Sequence, residues 1–297
     1  MIAELRYAHG ALWHSDAWYR RAWWIAPQLL ALVGAVAIMT GGSASSGAGE
    51  GSGWAQPATN PPAVQDAYTE TLALRDRAET DPAEFAKLLR QANSGDANSQ
   101  FAVATLYDGR LNLTRLVAPN PVTAMMWYHN ASMQGHIDAA NNYGSALVFG
   151  TPGVPRSVTE GLTYLLRAGN ANNTLAQHSL GVLYRDGAPG VKPSPANSLQ
   201  WFQRAAGNGD HYAQAEIGAA YWDGKAPYNR DAVEAVKWYT QAAQDPSQVN
   251  AARMLGIAYR DGIGAAPNTA SALAWFQRAA DHNDAYALGQ VKLLSGR

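Results

Sequence analysis

The chain has 297 residues, 47% hydrophobic and 15% charged, which is enough apolar material for a folded body and too much for wholesale disorder. Lysine and arginine number 22 against 23 aspartates and glutamates, so no basic excess exists to neutralise a phosphate backbone, and nucleic acid is not an expected partner. Cysteine is absent, which removes disulfide frameworks, zinc fingers, thiolate nucleophiles and iron–sulfur sites together.

Residues 1–21 carry Arg6, Arg20 and Arg21 and lead into residues 22–40, "AWWIAPQLLALVGAVAIMT", a stretch without a single charge. At 1.5 Å per residue such a helix spans roughly 28 Å, close to the thickness of a hydrocarbon core. Arginines lie only on its N-terminal side, which predicts a single-pass anchor with a cytoplasmic N-terminus. Trp18, Tyr19, Trp23 and Trp24 stand beside those arginines, where amphipathic rings favour the membrane interface. A cleaved signal peptide with the small-residue exit "GGSASS" is the alternative, although Glu4 and Asp16 lie in what would be a long leading region. Residues 41–64, rich in Gly, Ser and Pro, read as a flexible tether. Residues 65–95 read as lead-in helices: one from Gln65 to about Arg77, then "PAEFAKLLRQANS" as the second helix of a degenerate leading unit.

The rest of the chain, residues 96–297, is periodic. Trp127, Tyr164, Trp201, Trp238 and Trp275 follow one another at intervals of 37 residues. Four positions after each comes Ala131, Ala168, Ala205, Ala242 or Ala279, and the residue directly after is Tyr128, Leu165, Phe202, Tyr239 or Phe276. Steps of three and four mark one helical face, here called helix B. Ahead of each lies a second column, Ala104, Gly144, Gly181, Gly218 and Gly256, followed three residues later by Tyr107, Leu147, Tyr184, Tyr221 and Tyr259 on helix A. Glycine within a helix costs about 1 kcal/mol relative to alanine, so its recurrence predicts a close approach by helix B, with the aromatic column filling the notch. Gly150, Gly187, Gly224 and Gly262, six residues further on, predict left-handed caps ending helix A. The first unit carries three extra residues in "GRLNLTRLVAPNP", and "DAYALGQVKLLSGR" forms a last helix A. Helix hairpins with two apolar faces stack into an all-α solenoid of about five units, expected as a right-handed superhelix.

The pattern "AQHSLGVLYRDG" followed by "NSLQWFQRAAGNG" resembles the Sel-one-like repeat (SLR) family, a relative of the tetratricopeptide repeats, over about residues 80–297. The resemblance implies a solenoid that mediates protein assembly. Ala104, Leu147 and Tyr164 depart from the family's usual Gly, Tyr and Trp, and many secreted members staple each hairpin with cysteines that this chain lacks. By resemblance to tetratricopeptide arrays, the concave surface is lined from helix A three residues before, one after and four after the glycine column. These positions hold Asn141, His178, Val182, Arg185, Trp222, Arg253, Ile257 and Arg260, with Phe101, Thr105, Asp108, Ser145, Val148, Ala215 and Ala219 completing the columns. An aromatic anchor between arginines is the composition of a binding hot spot, which predicts an acidic or C-terminal segment of another protein in that groove.

The recurring tryptophans could instead stack on sugars, but their alanine spacing favours core packing. Asp186, Asp223 and Asp261 recur outside any calcium-loop pattern and are read as turn hydrogen-bonding groups. His136, His211 and His282 fall one per corner, which suits surface capping better than metal binding. No nucleophile motif, zincin motif or phosphate loop occurs, so neither an enzyme nor a cofactor is expected. The reading is a scaffold or adaptor of a cell-envelope complex, tethered to a bacterial inner membrane with its repeats in the periplasm. A wall-associated glycan-binding or glycan-hydrolysing protein is the alternative. The sequons at Asn112, Asn130 and Asn172 also permit a lumenal adaptor in a eukaryote.

Overall fold

The computed structural model describes residues 62–108, 116–225 and 228–296. The anchor candidate, residues 1–21 and nearly all of the tether lie outside them, as does the start of the first unit's extended loop. The chain divides into Met1–Ala58 and Thr59–Arg297, and all the elements below belong to the second unit. They are α1 (Pro62–Ala78), α2 (Pro82–Asn93), α3 (Ala97–Tyr107), α4 (Pro121–Met133), α5 (Ile137–Phe149), α6 (Val158–Asn170), α7 (Thr174–Asp186), α8 (Pro195–Gly207), α9 (His211–Asp223), α10 (Ala232–Ala242), α11 (Val249–Asp261), α12 (Thr269–Ala280) and α13 (Ala285–Ser295). No strand forms among the described residues beyond two isolated bridges, Thr151 with Val154 and Ala188 with Val191. None of the described helices is long and apolar enough to cross a membrane.

Helix starts follow the sequence chemistry. Asp96, Asn173, Asp210 and Asp284 each accept a hydrogen bond from the backbone N–H three residues on, satisfying donors that the first helical turn leaves unpaired. The α1–α2 pair supplies the degenerate leading unit, and α1 runs back to Pro62, three residues before the expected start. Each later unit pairs an A helix (α3, α5, α7, α9, α11) with the B helix after it, and each B helix packs on the next A helix. One backbone bond recurs in every unit: the N–H of the residue capping helix B donates to a carbonyl near the end of helix A, at Tyr107, Leu147, Tyr184, Tyr221 and Tyr259. The same bond thus ties the two helices of each hairpin together in all five units. Contacts between alternate helices occur along the A row, at α1–α3, α5–α7 and α11–α13, so the array is tighter on that side and the A row forms its inner face.

The aromatic column divides differently from the expectation. The side chains in the glycine notches are not the period-37 tryptophans but the residues after them: a Cβ on Gly181 would meet the Phe202 ring at 2.5 Å, and one on Gly256 would meet Phe276 at 2.6 Å. Tyr128, Leu165, Phe202, Tyr239 and Phe276 are at most 1% exposed. The tryptophans are half-buried and serve the joint between units instead. Trp201 on α8 packs on the α5–α6–α7 core and leaves only 3.0 Å for a Cβ on Gly169 of α6. The reason is angular: successive residues on a helix point about 100° apart, so one ring faces its own A helix and the other the preceding unit. In the second unit Leu165 replaces the ring, and Gly144 and Gly161 let α5 and α6 meet backbone to backbone, each missing Cβ standing 2.7–2.8 Å from the other's carbonyl oxygen.

The cap glycines also separate into two kinds. Gly224 and Gly262 adopt the left-handed helical conformation, whereas Gly150 and Gly187 combine φ of 92° and 74° with ψ of 147° and 173°, turning the chain directly into the tight "TPGV" and "APGV" turns.

Candidate functional site

The inner face is built from the A helices, and its N-terminal end is closed. Phe101, Thr105, Asp108, Asn141 and Val148 are buried. Asn141, at 5% exposure, is therefore not a lining residue as expected; its Nδ2 donates to Asn142 Oδ1. Nearby, α5 and α7 come close, with the hydroxyls of Ser145 and Ser179 3.5 Å apart. At the first unit, α1 runs beside α3 and Leu72 packs on the cluster that contains Phe101.

From α7 onward the face opens. His178, Val182, Trp222, Arg253, Ile257 and Arg260 are half-buried and Arg185 is exposed. Val182 rests on the α8–α9 core, Trp222 on the α9–α11 core with Tyr239 edge-on at 6.3 Å, and Ile257 on the α11–α12 core. The column one turn further upstream, which the sequence reading left out, contributes further accessible apolar groups. Leu175 is 64% exposed, Tyr212 39% and Tyr286 42%. They lie three residues before the column of His178, so extending the same stripe by one turn would have found them.

The two arginines are already committed. Arg185 forks onto Asp186, Nε and Nη2 donating at 2.8 and 3.0 Å, while its Nη1 donates to Glu216 on α9 at 2.7 Å. Arg260 forks onto Asp261 at 2.7 Å twice, and its Nη1 donates to Tyr286 and Gln290 on α13 at 2.9 and 2.7 Å. These forks hold the Asp186 and Asp261 carboxyls below their ordinary range and the guanidiniums above theirs. The recurring aspartates are thus ion-pair partners rather than turn groups, because the neighbouring arginine presents a matching fork. Asp223, which lacks that neighbour, pairs with Lys225 at 2.8 Å. Arg253 reaches Asp284 on α13 at 3.3 Å, and His178 Nδ1 lies 3.3 Å from Asp210 Oδ2. Arg185, Arg253 and Arg260 on this face thus each have a carboxylate partner within the chain.

Other expected sites resolve as structure. Arg204 and Arg278 lie over the rings of Trp201 and Trp275 at 4.8 and 5.5 Å, covering faces a sugar would need. His136 does cap a helix, Ala139 N–H donating to its Nδ1 at 3.2 Å, but it is stacked on Phe101 at 4.5 Å rather than lying on the surface. Burial pushes its imidazole below the ordinary value, with Asp138 and Asp96 opposing. His211 Nδ1 sits 3.0 Å from Gln214 Oε1. Among the described residues no three His, Asp or Glu side chains converge as a metal site. A feature absent from the sequence reading is a buried glutamine series. Gln100, Gln177 and Gln214 each donate to a carbonyl eight residues back, at Ala92, Gly169 and Ala206, tying the start of an A helix to the end of the preceding B helix. Placing the units in register shows the column.

The Sel1 repeat family model matches residues 97–136, 137–173, 174–210, 211–246 and 249–284, each an A helix, its B helix and the following turn. A protective antigen present in uropathogenic Escherichia coli strains and displaying an SLR fold is similar, with 30% identity and a TM-score of 0.63 over 69% of this chain and 42% of its own. A Sel1 repeat protein from Oxalobacter formigenes shows 27% identity and a TM-score of 0.64 over 78% of this chain and 87% of its own. No curated protein sequence matches.

Proposed function

The chain belongs to the Sel1 repeat family, whose members generally mediate protein–protein interaction, and from that premise we propose that the inner face of α7, α9, α11 and α13 receives an extended segment of a partner protein. The observation that carries this reading is the apolar row left accessible there: Leu175, Tyr212 and Tyr286 with Val182, Trp222 and Ile257 behind them. Side chains of this kind in a shallow groove act as anchors. Because Arg185 and Arg260 already face carboxylates, the fitting segment carries apolar side chains in a neutral context rather than being the acidic or C-terminal segment expected from sequence.

The wider role is an adaptor of a cell-envelope assembly, with no chemistry of its own and no cofactor. Residues 22–40 anchor it in a bacterial inner membrane, N-terminus in the cytoplasm, and the repeats stand in the periplasm. The uncharged stretch, the arginines before it and the Gly/Ser/Pro tether after it support that reading. Site-specific crosslinking from position 212 in cells tests the groove; a partner captured there and lost when Trp222→Ala is added supports it, and unchanged capture discards it. Protease digestion of intact against opened cells tests the topology, since repeats protected in both or cut only after the inner membrane is breached would overturn it.

A further inference from the structure

The second repeat departs from the others at one column of its A helix. In the other four repeats the residue three after the glycine column is tyrosine, half-buried against the neighbouring cores. Tyr107 shows what such a ring does, reaching Phe85 on the preceding α2 edge-on at 6.5 Å. The second repeat has Leu147 instead. A cavity of about 370 Å³ lies over it, between α4, α5 and the turn before α6. Met125, Met126, His129 and Tyr143 form its walls and Glu160 its rim. Met126 is 63% exposed, so the cavity opens beside an apolar helix face rather than being sealed.

The rim has one sign. Glu160 Oε1 accepts from the Tyr143 hydroxyl at 2.9 Å, which fixes the carboxylate at the mouth, and no lysine or arginine lines the cavity. Within the lining, the rings of His129 and Tyr143 stand tilted to one another at 5.0 Å, a wall that offers both faces and edges to another ring. We propose that this cavity takes an aromatic side chain of a partner protein, supplied beside a basic residue that pairs with Glu160. The incoming ring restores the seam contact that Leu147 gives up, and methionines adapt to its outline.

The test uses the full chain carrying ¹³C-methyl methionine, so that Met125 and Met126 report on the cavity and Met254 on the inner-face side. The probes are three synthetic peptides, Gly-Ser-Arg-Phe-Arg-Ser-Gly and its versions with Glu for Arg or Ala for Phe. The Arg-Phe-Arg peptide is expected to shift Met125 and Met126 but not Met254, with the other two at least about tenfold weaker. Leu147→Tyr, which fills the cavity with the residue the other repeats use, should abolish the shift while the chain stays folded by circular dichroism. Glu160→Gln, which leaves the core untouched, should remove the preference for Arg over Glu. Trp222→Ala, which disables the inner groove, should leave the Met125 and Met126 shifts as they are, which separates the two sites. Equal shifts with the Ala peptide, unchanged binding in Leu147→Tyr, or no shift with any peptide overturns the proposal.

Discussion

The Phe202 ring occupies the place where Gly181 would carry a Cβ, 2.5 Å from it, and this contact, repeated by Phe276 at Gly256, closes each hairpin. A buried Phe contributes about 1.5–3 kcal/mol through area alone, more than the roughly 1 kcal/mol that the helical glycine costs. Gly181→Ala should therefore destabilise the chain by about 1–3 kcal/mol despite its better helix propensity. Gly289→Ala on α13, where a Cβ meets nothing within 4 Å, should stabilise it by up to about 1 kcal/mol. Urea denaturation of both variants gives opposite signs if the notch, rather than helix propensity, governs the glycine column.

Gln177, 2% exposed, donates to the Gly169 carbonyl and to Asn172 Oδ1 while accepting from Asn208 Nδ2 at 2.9 Å, so it joins three successive helix ends. Gln177→Leu keeps the volume and strands those partners, and should cost about 1–3 kcal/mol in denaturant unfolding. The surface change Gln277→Leu, on an exposed face of α12, should cost far less in the same assay.

The His136 cap requires a lone pair on Nδ1, so only the neutral imidazole makes it. Its folded value is depressed from 6.5 by burial, which means the unfolded chain binds the proton first as pH falls. The stabilisation is complete above about pH 6.5 and is lost as pH drops through the lower folded value. His136→Asn, a capping residue that does not titrate, should flatten the stability profile across that window, and parallel melts of the two chains between pH 7.5 and about pH 5 would show it.

Internal pairing of Arg185 and Arg260 predicts that partner binding at the inner face is governed by apolar side chains. Tyr212→Ala and Trp222→Ala should each weaken a partner segment by about tenfold or more, whereas Arg185→Ala should change affinity little and stability by no more than about 1 kcal/mol. Affinity should also hold nearly constant as salt is raised, measured by calorimetry; a steep salt dependence would restore the acidic-segment reading.

Much of the fold is legible in the sequence because each unit repeats its solution: a column seen five times at 37-residue spacing averages away the ambiguity of any single helix. The A and B helices and the buried alanine columns follow from period alone, whereas Gly150 and Gly187 end their helices without the left-handed helical conformation that period predicts. Other features escaped it too. Trp201 and Phe202 are adjacent, equally bulky and equally periodic, so pattern gives no means of saying which enters the hairpin and which spans the joint; the crossing of α7 and α8 decides that. The inner face was located by column, but that Asn141 is buried while His178, at the same position one repeat on, is half-buried depends on how neighbouring helices stack, which the column does not contain.

What the sequence alone determines here is the unit, since helix periodicity, capping and notch chemistry are local and act within about forty residues. What the tertiary structure decides is the state of each exposed group once units stack. Arg185 and Arg260 look like free cations in one dimension. Their forks onto Asp186 and Asp261 join neighbours in sequence, but the reach of Arg185 to Glu216 on α9 and of Arg260 to Tyr286 and Gln290 on α13 depends on the rotation between neighbouring helices, a quantity that no single repeat contains.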